Sequence, residues 1–283
     1  MKIVLTGATG FIGRHLCREL AATPHKLTVM CRDSAHPALS WLAARGVTPG
    51  VVKLDLADAD DDTYERLGAP DLVIHLAWHG VNQVQSPAHM TGEWPRHYNF
   101  LTKLINSGLP RLAVTGSCSE YGLQNGALNE AQPCLPSTSY GLAKYSLLRQ
   151  LEFTRTERPF ELLWARPFYT YGEGQNPGSV YPQLLRALAD GEPEFRMSGG
   201  EQLRDYLPVE ELARRLCSLA LSPHTGVVNI CSGQPVTVRR MVETWLAERH
   251  ACLPLNLGYY PYRNFEPFAF WGDPARMQNY LGL

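Results

Sequence analysis

Met1-Lys-Ile-Val-Leu-Thr6-Gly7-Ala-Thr9-Gly10-Phe11-Ile12-Gly13-Arg14 is the stretch on which the fold turns. Its apolar run, Ile3-Val-Leu5, reads as a short strand buried on both faces. The run stops at a glycine-rich turn, and an amphipathic pattern over 11–22 starts immediately after it. Gly7 permits the tight turn, Gly10 lets the backbone approach phosphate oxygens, and Gly13 lets helix and strand pack closely. The freed amide N–H groups at the helix start then face a pyrophosphate. A glycine turn alone is weak, so the rest of the chain must carry the same message.

It does so by alternation. Strands are expected at Lys2–Thr6, Lys26–Cys31, Gly50–Leu54, Asp71–Leu76, Arg111–Thr115 and Phe160–Ala165, with helical patterns between them at 11–22, 37–46, 58–67, 87–107 and 138–157. Strands alternating with helices predict an α/β fold, a doubly wound parallel sheet of the Rossmann type over residues 1–168. Beyond Arg166-Pro167-Phe-Tyr169-Thr-Tyr-Gly172 the glycine, proline and aromatic content rises, and helices at 179–190, 209–221 and 237–249 stand between irregular loops. Residues 169–283 therefore read as a smaller, loop-rich lobe that mainly serves substrate, with some segments returning to the first unit.

Composition narrows the partners. The 283 residues carry 26 Lys and Arg against 27 Asp and Glu, interspersed, for a net charge of −1. Without a basic stripe, neither nucleic acid nor a membrane surface is an expected partner. The seven cysteines lie far apart with no C-x-x-C, and the nine histidines show no H-E-x-x-H, so reduced thiols and no metal are expected. No window approaches about 18 uninterrupted apolar residues. Met1–Gly7 has no signal-like apolar stretch, and a cytoplasmic location is expected.

The tip of the second strand, Val29-Met-Cys-Arg32-Asp33, bears on the cofactor ribose. An acid there takes up the hydroxyls of NAD, whereas arginine accommodates a 2′-phosphate. Arg32 lies nearer the tip and Arg14 could add a second cation, which favours NADP(H); Asp33 keeps NAD(H) open. Asp55-Leu56 follows the third strand, where the pair could bond and pack on adenine. His75 in an apolar strand reads as a satisfied core histidine.

Chemistry concentrates in two further strings. Val114-Thr-Gly-Ser117-Cys118-Ser119-Glu120-Tyr121-Gly122 ends the fifth strand, and Tyr140-Gly-Leu-Ala-Lys144 places a phenol and an ammonium on one helical face, four residues apart. A free tyrosine, pKa about 10, gives up its proton reluctantly. A neighbouring cation would lower that cost and make Tyr140 a general acid toward a ketone oxygen.

The order of these strings resembles the extended short-chain dehydrogenase/reductase family, in its NAD(P)-dependent nucleotide-sugar epimerase, dehydratase and reductase branch. The likeness spans the chain: G-x-x-G-F-I-G, the H-L-A strand end, S-x-x-x-Y-G, Y-x-x-x-K, R-P-x-x-x-Y-G, R-D-Y-x-x-V and a closing W-G-D. It implies Ser117, Tyr140 and Lys144 as the catalytic set, with Ser119 as the rival of Ser117. It implies a cofactor site of Gly7, Thr9, Gly10, Phe11, Ile12, Gly13, Arg14, Arg32, Asp55, Leu56, Leu76, Ala77, Tyr140, Lys144 and Pro167. On the substrate side it implies Ser119, Tyr169, Arg204, Arg263 and Glu266, the arginines on phosphates and Glu266 on sugar or ribose. Arg204 could instead tie Asp205 to the adjacent loop, and the aromatic residues of 259–271 could stack on a base or pack in a core. A homodimer through the helices near 87–107 and 138–157 is likewise implied.

Departures from the family pattern narrow the reaction. Sugar 4,6-dehydratases carry an Asp-Glu pair where this chain has Cys118 and Ser119, which argues against dehydration; Glu120, one step on, leaves that reading open. Tyr169 and His97 stand where the family usually has asparagines. The expected activity is NADPH-dependent reduction of a 4-keto (6-deoxy) nucleotide-sugar. The alternatives are a 4-epimerase with tightly bound NAD, or a non-catalytic nucleotide-binding protein.

Overall fold

The computed structural model describes residues 1–283. The first half runs β1 (Lys2–Thr6), α1 (Phe11–Ala21), β2 (Lys26–Cys31), α2 (Pro37–Ala43), β3 (Gly50–Lys53), α3 (Thr63–Arg66), β4 (Leu72–His75), α4 (Trp94–Asn106), β5 (Arg111–Thr115), β6 (Gly126–Leu128), α5 (Ser139–Glu157) and β7 (Glu161–Pro167). The rest follows as β8 (Tyr169–Tyr171), α6 (Val180–Ala189), β9 (Phe195–Arg196), β10 (Leu203–Pro208), α7 (Val209–Leu221), β11 (Gly226–Ile230), β12 (Pro235–Thr237), α8 (Val238–Glu248), β13 (Leu255–Asn256), β14 (Phe270–Gly272) and α9 (Ala275–Leu281).

Seven strands form the central sheet in the order β11-β7-β5-β4-β1-β2-β3, and every pairing is parallel. This is the doubly wound arrangement, and its order reverses between β1 and β4. Ligands of such sheets bind at that reversal, beyond the carboxyl ends of the strands. One face is covered by α1, α2 and α7, where Leu5, Leu16, Leu20, Leu212 and Leu216 pack. The other is covered by α4 and α5, where Phe100, Leu104, Leu147, Leu151 and Trp164 pack. β4 is buried along its whole length, as an apolar strand covered on both faces must be.

The seventh strand comes from late in the chain: β11 joins the free edge of β7, pairing Gly226 with Leu163 and Ile230 with Pro167. Other late segments, apart from α7 and α9, build a separate layer. It includes the β12-β10-β8 sheet, the short pairs β13-β9 and β14-β6 (the latter reaching back to residues 126–128), and a core of Leu184, Met241, Val242 and Trp245 between α6 and α8. No helix is long and apolar enough to cross a membrane.

Two expected helices differ. Over 58–67 there is only a 3₁₀ turn at Leu56–Asp58 and the single turn of α3. Asp55 caps that turn through the Ala57 N–H, and the Asp60 carboxylate accepts from the Thr63 hydroxyl, so these aspartates make local bonds instead of extending a helix. The expected 87–107 helix opens with a wide π turn at His89–Glu93, and α4 proper begins at Trp94 with proline in its first turn.

Candidate active site

The crevice floor is the β1–α1 turn. Gly7 has φ +73°, and a Cβ there would lie 2.6 Å from the Ala77 nitrogen at the tip of β4. A Cβ on Gly13 would collide with the Gly7 carbonyl. Only glycine lets β1, α1 and β4 converge here. Gly10 caps α1 without a side-chain hydrogen bond, and the first turn of α1 holds no acidic residue. Its leading amide N–H groups, with Thr9, Phe11 and Ile12 around them, are thus left for an external anion. Those residues fit a dinucleotide pyrophosphate.

The adenosine end is more mixed. Arg32 and Asp55 line a pocket of about 440 Å³ together with Lys53, Leu54, Asp58 and Arg66. Arg32 is exposed and lies 3.9 Å from Asp55. The Asp33 carboxylate accepts from the Ala35 N–H at 2.9 Å, so it is turned into its own loop. Arg14 bonds the Gly10 carbonyl at 3.3 Å and faces the Trp41 ring. Leu56 sits in the 3₁₀ turn capped by Asp55. Leu76 and Ala77 follow β4, and the Ala77 N–H reaches the Thr6 hydroxyl at 3.3 Å. Pro167 closes β7.

Tyr140 and Lys144 lie in the first turns of α5, both buried. The helix is capped by Thr138, whose hydroxyl accepts from the Gly141 N–H at 3.0 Å. Lys144 donates to the Thr115 carbonyl at 2.8 Å, and its Nζ is 6.0 Å from the centre of the Tyr140 ring. Trp78, one residue beyond Ala77, is 6.1 Å from Tyr140 between ring centres. Trp78 thus connects the phenol to the tip of β4, against which Gly7 packs.

The electrostatics reverse one expectation. Burial pushes the Tyr140 phenol well above its ordinary pKa, Glu120 and Cys118 add to that, and a hydrogen bond with Ser117 opposes it. Lys144 does not outweigh this, and burial brings its own pKa down to about 7 against the pull of Glu120 and Glu93. Before a ligand binds, the site holds a neutral phenol beside an ammonium ready to lose its proton.

Ser117 lies two residues beyond β5 and caps the next turn, buried, with its hydroxyl accepting from the Ser119 N–H at 3.1 Å. Ser119 lies on the turn that follows, its carbonyl facing α5. Glu120 is committed to its surroundings: one oxygen accepts from the Ser117 N–H at 2.8 Å, the other from Arg166 at 2.7 Å, and the Trp164 indole N–H is shared between both. It is fully buried. Such a carboxylate, paired with Arg166 and bonded to the loop backbone, holds the loop together.

On the substrate side, Glu266 gathers three of the residues expected there, Tyr169, Arg204 and Arg263, while Ser119 stands apart on the Ser117 turn. Tyr169 and Arg204 each donate to its Oε2 at 3.1 Å, and Arg263 reaches Oε1 at 3.2 Å. Arg204 is buried and also bonds the Leu203 and Phe268 carbonyls. Asp205 is held by Ser232, Gly233 and Gly272. Arg204 thus ties its strand to the 266–268 loop, as the structural alternative expected, without a bond to Asp205 itself. Of the two arginines only Arg263 is exposed. The outer tyrosines Tyr259, Tyr260 and Tyr262 lie exposed, outside any core.

Several participants escape motif reading. A Cβ on Gly141 would lie 2.5 Å from the Ser119 carbonyl, so this glycine sets how closely the Tyr140 helix meets the Ser117 turn. His97, in the usual asparagine position, accepts or donates at 2.7 Å with His75 and at 3.2 Å with Glu93. His75 is the satisfied core histidine its strand suggested, with Thr6 at 2.8 Å on its other nitrogen. Trp78 stacks on His97, 4.4 Å between ring centres. The 87–107 periodicity signals a helix but not which of its polar residues meet inside.

Fold and site together define an enzyme of the dinucleotide-dependent oxidoreductase class. The description of the NAD dependent epimerase/dehydratase family matches residues 3–231. Among curated proteins the chain is similar to dTDP-6-deoxy-L-talose 4-dehydrogenase (NAD(+)) of Aggregatibacter actinomycetemcomitans, 28% identical over 274 residues, 96% of this chain and 99% of that protein. It is 29% identical over 253 residues to dTDP-4-dehydro-6-deoxyglucose reductase of Escherichia coli, covering 86% and 80%. Among solved structures, UDP-N-acetylglucosamine 4-epimerase from Methanobrevibacter ruminantium M1, in complex with UDP-N-acetylmuramic acid, has a TM-score of 0.87 at 24% identity, covering 100% of this chain and 92% of that one. The chain belongs to the NAD dependent epimerase/dehydratase family, the NAD(P)-dependent enzymes of nucleotide-sugar oxidation, reduction and epimerisation.

Proposed function

We propose that the protein is a 4-ketoreductase of a 6-deoxyhexose nucleotide, reducing the C4 ketone with NADPH. The observation that carries this reading is the meeting of Tyr140, Ser117 and Lys144 at the crevice floored by Gly7. A nicotinamide dinucleotide bound there supplies the hydride for the ketone carbon. Tyr140 gives its proton to the ketone oxygen, and Ser117 orients that oxygen by a hydrogen bond. Lys144 in its charged form favours proton release from the phenol and has N–H donors to spare for a ribose hydroxyl. The high pKa of the empty-site phenol supports an acid that holds its proton until the substrate oxygen becomes basic.

The two relatives named above support the 4-position and the 6-deoxy sugar, since both names describe that carbon and that class. The Arg166-paired carboxylate of Glu120 and the thiol of Cys118 leave dehydration without an acid-base pair beside Ser117. Arg263, the exposed member of the Glu266 cluster, suits a diphosphate, which pairs well with a planar guanidinium. Asp33 turned into its loop, with Arg32 and Lys53 in one pocket, supports NADPH over NADH. The talose relative is named for NAD(+), and the test below compares the two cofactors directly. The segments outside the central sheet after residue 168 form the substrate lobe in this reading.

The test is a panel of dTDP-, UDP-, GDP- and CDP-linked 4-keto-6-deoxy sugars with NADPH or NADH, followed at the reduced-nicotinamide absorbance. Consumption of one reduced cofactor per product is expected, faster with NADPH. Product formed without net cofactor oxidation would establish the epimerase instead.

A further inference from the structure

Lys144 is buried among few polar partners. Of its three N–H donors, one goes to the Thr115 carbonyl at 2.8 Å. Its Nζ also stands 4.0 Å from the centre of the Trp78 ring. The same indole is stacked on His97, with ring centres 4.4 Å apart and planes 11° apart. Trp78 therefore meets both the His97 ring and the Lys144 ammonium. We propose that Trp78 is a positioning residue for Lys144, its indole face holding the ammonium charged and aimed into the crevice, and that a one-way hydrogen-bonded chain from Thr6 to Glu93 fixes the indole in place.

The direction of that chain follows from donor and acceptor bookkeeping. Burial alone would raise the Glu93 pKa, but hydrogen bonds from His97 and the His79 N–H bring it down to about 2, so the group is a carboxylate that only accepts. His97 Nε2 must then donate to it, at 3.2 Å. Burial holds His97 neutral, with a pKa of about 4, so its Nδ1 accepts from His75 Nε2 at 2.7 Å. His75, neutral for the same reason, accepts at Nδ1 from the Thr6 hydroxyl at 2.8 Å. That hydroxyl oxygen in turn receives the Ala77 N–H. Every donor points one way, which fixes the tautomer of both rings and leaves the His97 face no freedom to turn. The indole N–H is anchored separately, donating to His89 Nδ1 at 3.1 Å. A ring face held against a desolvated ammonium stabilises its charged form.

The charged and titratable groups around Lys144 are Glu120 from the β5 turn, Glu93 ahead of α4, His75 on β4, His97 on α4, and Tyr140 on its own helix. Removing the indole subtracts one stabiliser of the ammonium while the two carboxylates stay. The consequence for catalysis rests on the ketoreductase reading; the positioning itself does not, and it has a direct readout. The chain has five lysines, at 2, 26, 53, 103 and 144. Carbon-13 labelling at lysine Cε gives few signals, and the Lys144 signal is assigned by its loss in Lys144→Arg. In the full chain without cofactor, Trp78→Leu should lower the Lys144 titration midpoint by at least half a pH unit. Trp78→Phe, which keeps a ring face, should recover most of that shift. His97→Asn, which frees the indole, should lower it less than Trp78→Leu does. An unchanged or raised midpoint in Trp78→Leu overturns the proposal. If that variant does not fold, a Lys144 midpoint in His97→Asn equal to the native one does so instead. Lack of turnover with every keto-sugar, with these shifts intact, would strike the ketoreductase reading alone.

Discussion

Tyr140 is the residue on which the proposed chemistry rests, and its surroundings define what its removal should do. The phenol lies at 8% exposure, beside Trp78 and His89, with ring centres 6.1 and 5.3 Å away. Tyr140→Phe removes one oxygen and leaves that packing alone. Cofactor binding, measured by quenching of tryptophan fluorescence, should stay within about threefold. Turnover should fall by roughly 10²–10⁴-fold, the usual worth of a positioned acid. Retained turnover would mean that the proton comes from elsewhere. The choice between the two serines is argued at this scale too: Ser117 is the serine whose side chain bears on the Tyr140 phenol, lowering a pKa that burial raises. Sequence order alone could not separate two serines two residues apart.

At the level of elements, the site depends on how α4 and α5 seat against the sheet. The strands were legible because apolar β-branched runs bounded by glycine and aspartate have few other readings. α5 was legible in extent but not in closeness, since Gly141 looks like any helical glycine until the Ser119 carbonyl is placed 2.5 Å from its absent side chain. Gly141→Ala should therefore improve helix propensity and still harm the enzyme. The helix start must shift by some tenths of an ångström, and misplacement on that scale is costly at a reacting centre. We expect turnover to drop by more than about tenfold, with little loss in thermal midpoint; unchanged turnover would show that the Ser117 turn yields.

The start of α4 predicts acid behaviour. His97 is held neutral, with a pKa of about 4 against an ordinary 6.5, and Glu93 is held ionised, with a pKa of about 2 against 4.5. In both cases the unfolded chain takes up a proton that the folded chain refuses. Their contribution to stability is thus complete above pH 6.5. It is lost as pH falls from 6.5 toward 4 for His97, and from 4.5 toward 2 for Glu93. Urea midpoints measured between pH 7 and 4.5 should decline, and His97→Asn should flatten that slope even if it lowers the midpoint at pH 7. Parallel slopes in the two proteins would place the titrating group elsewhere.

For the whole molecule, the chain's change of character after Gly172 suggests a nucleotide unit and a substrate lobe with some segments returning, and the packing shows which segments return. β11 closes the sheet from residues 226–230, a return that no local pattern announces, because a five-residue apolar strand looks the same in either lobe. Ten of the 25 buried residues on one face of the sheet come from beyond residue 168: Leu207, six from α7, Val228 and Ile230 of β11, and Met277 of α9. Without them α1 loses its neighbour and β7 shows an unpaired row of N–H and C=O groups from Leu163 to Pro167. An apolar edge of that kind recruits other chains. Residues 1–168 expressed alone should therefore fail to fold cooperatively, with a broad urea transition, strong binding of a hydrophobic dye, and loss to aggregates. The full chain, treated alike, should show a steep transition and little dye binding. A soluble fragment with a cooperative transition would mean that the glycine-turn half carries enough core by itself, and that α7 and β11 only dock onto it.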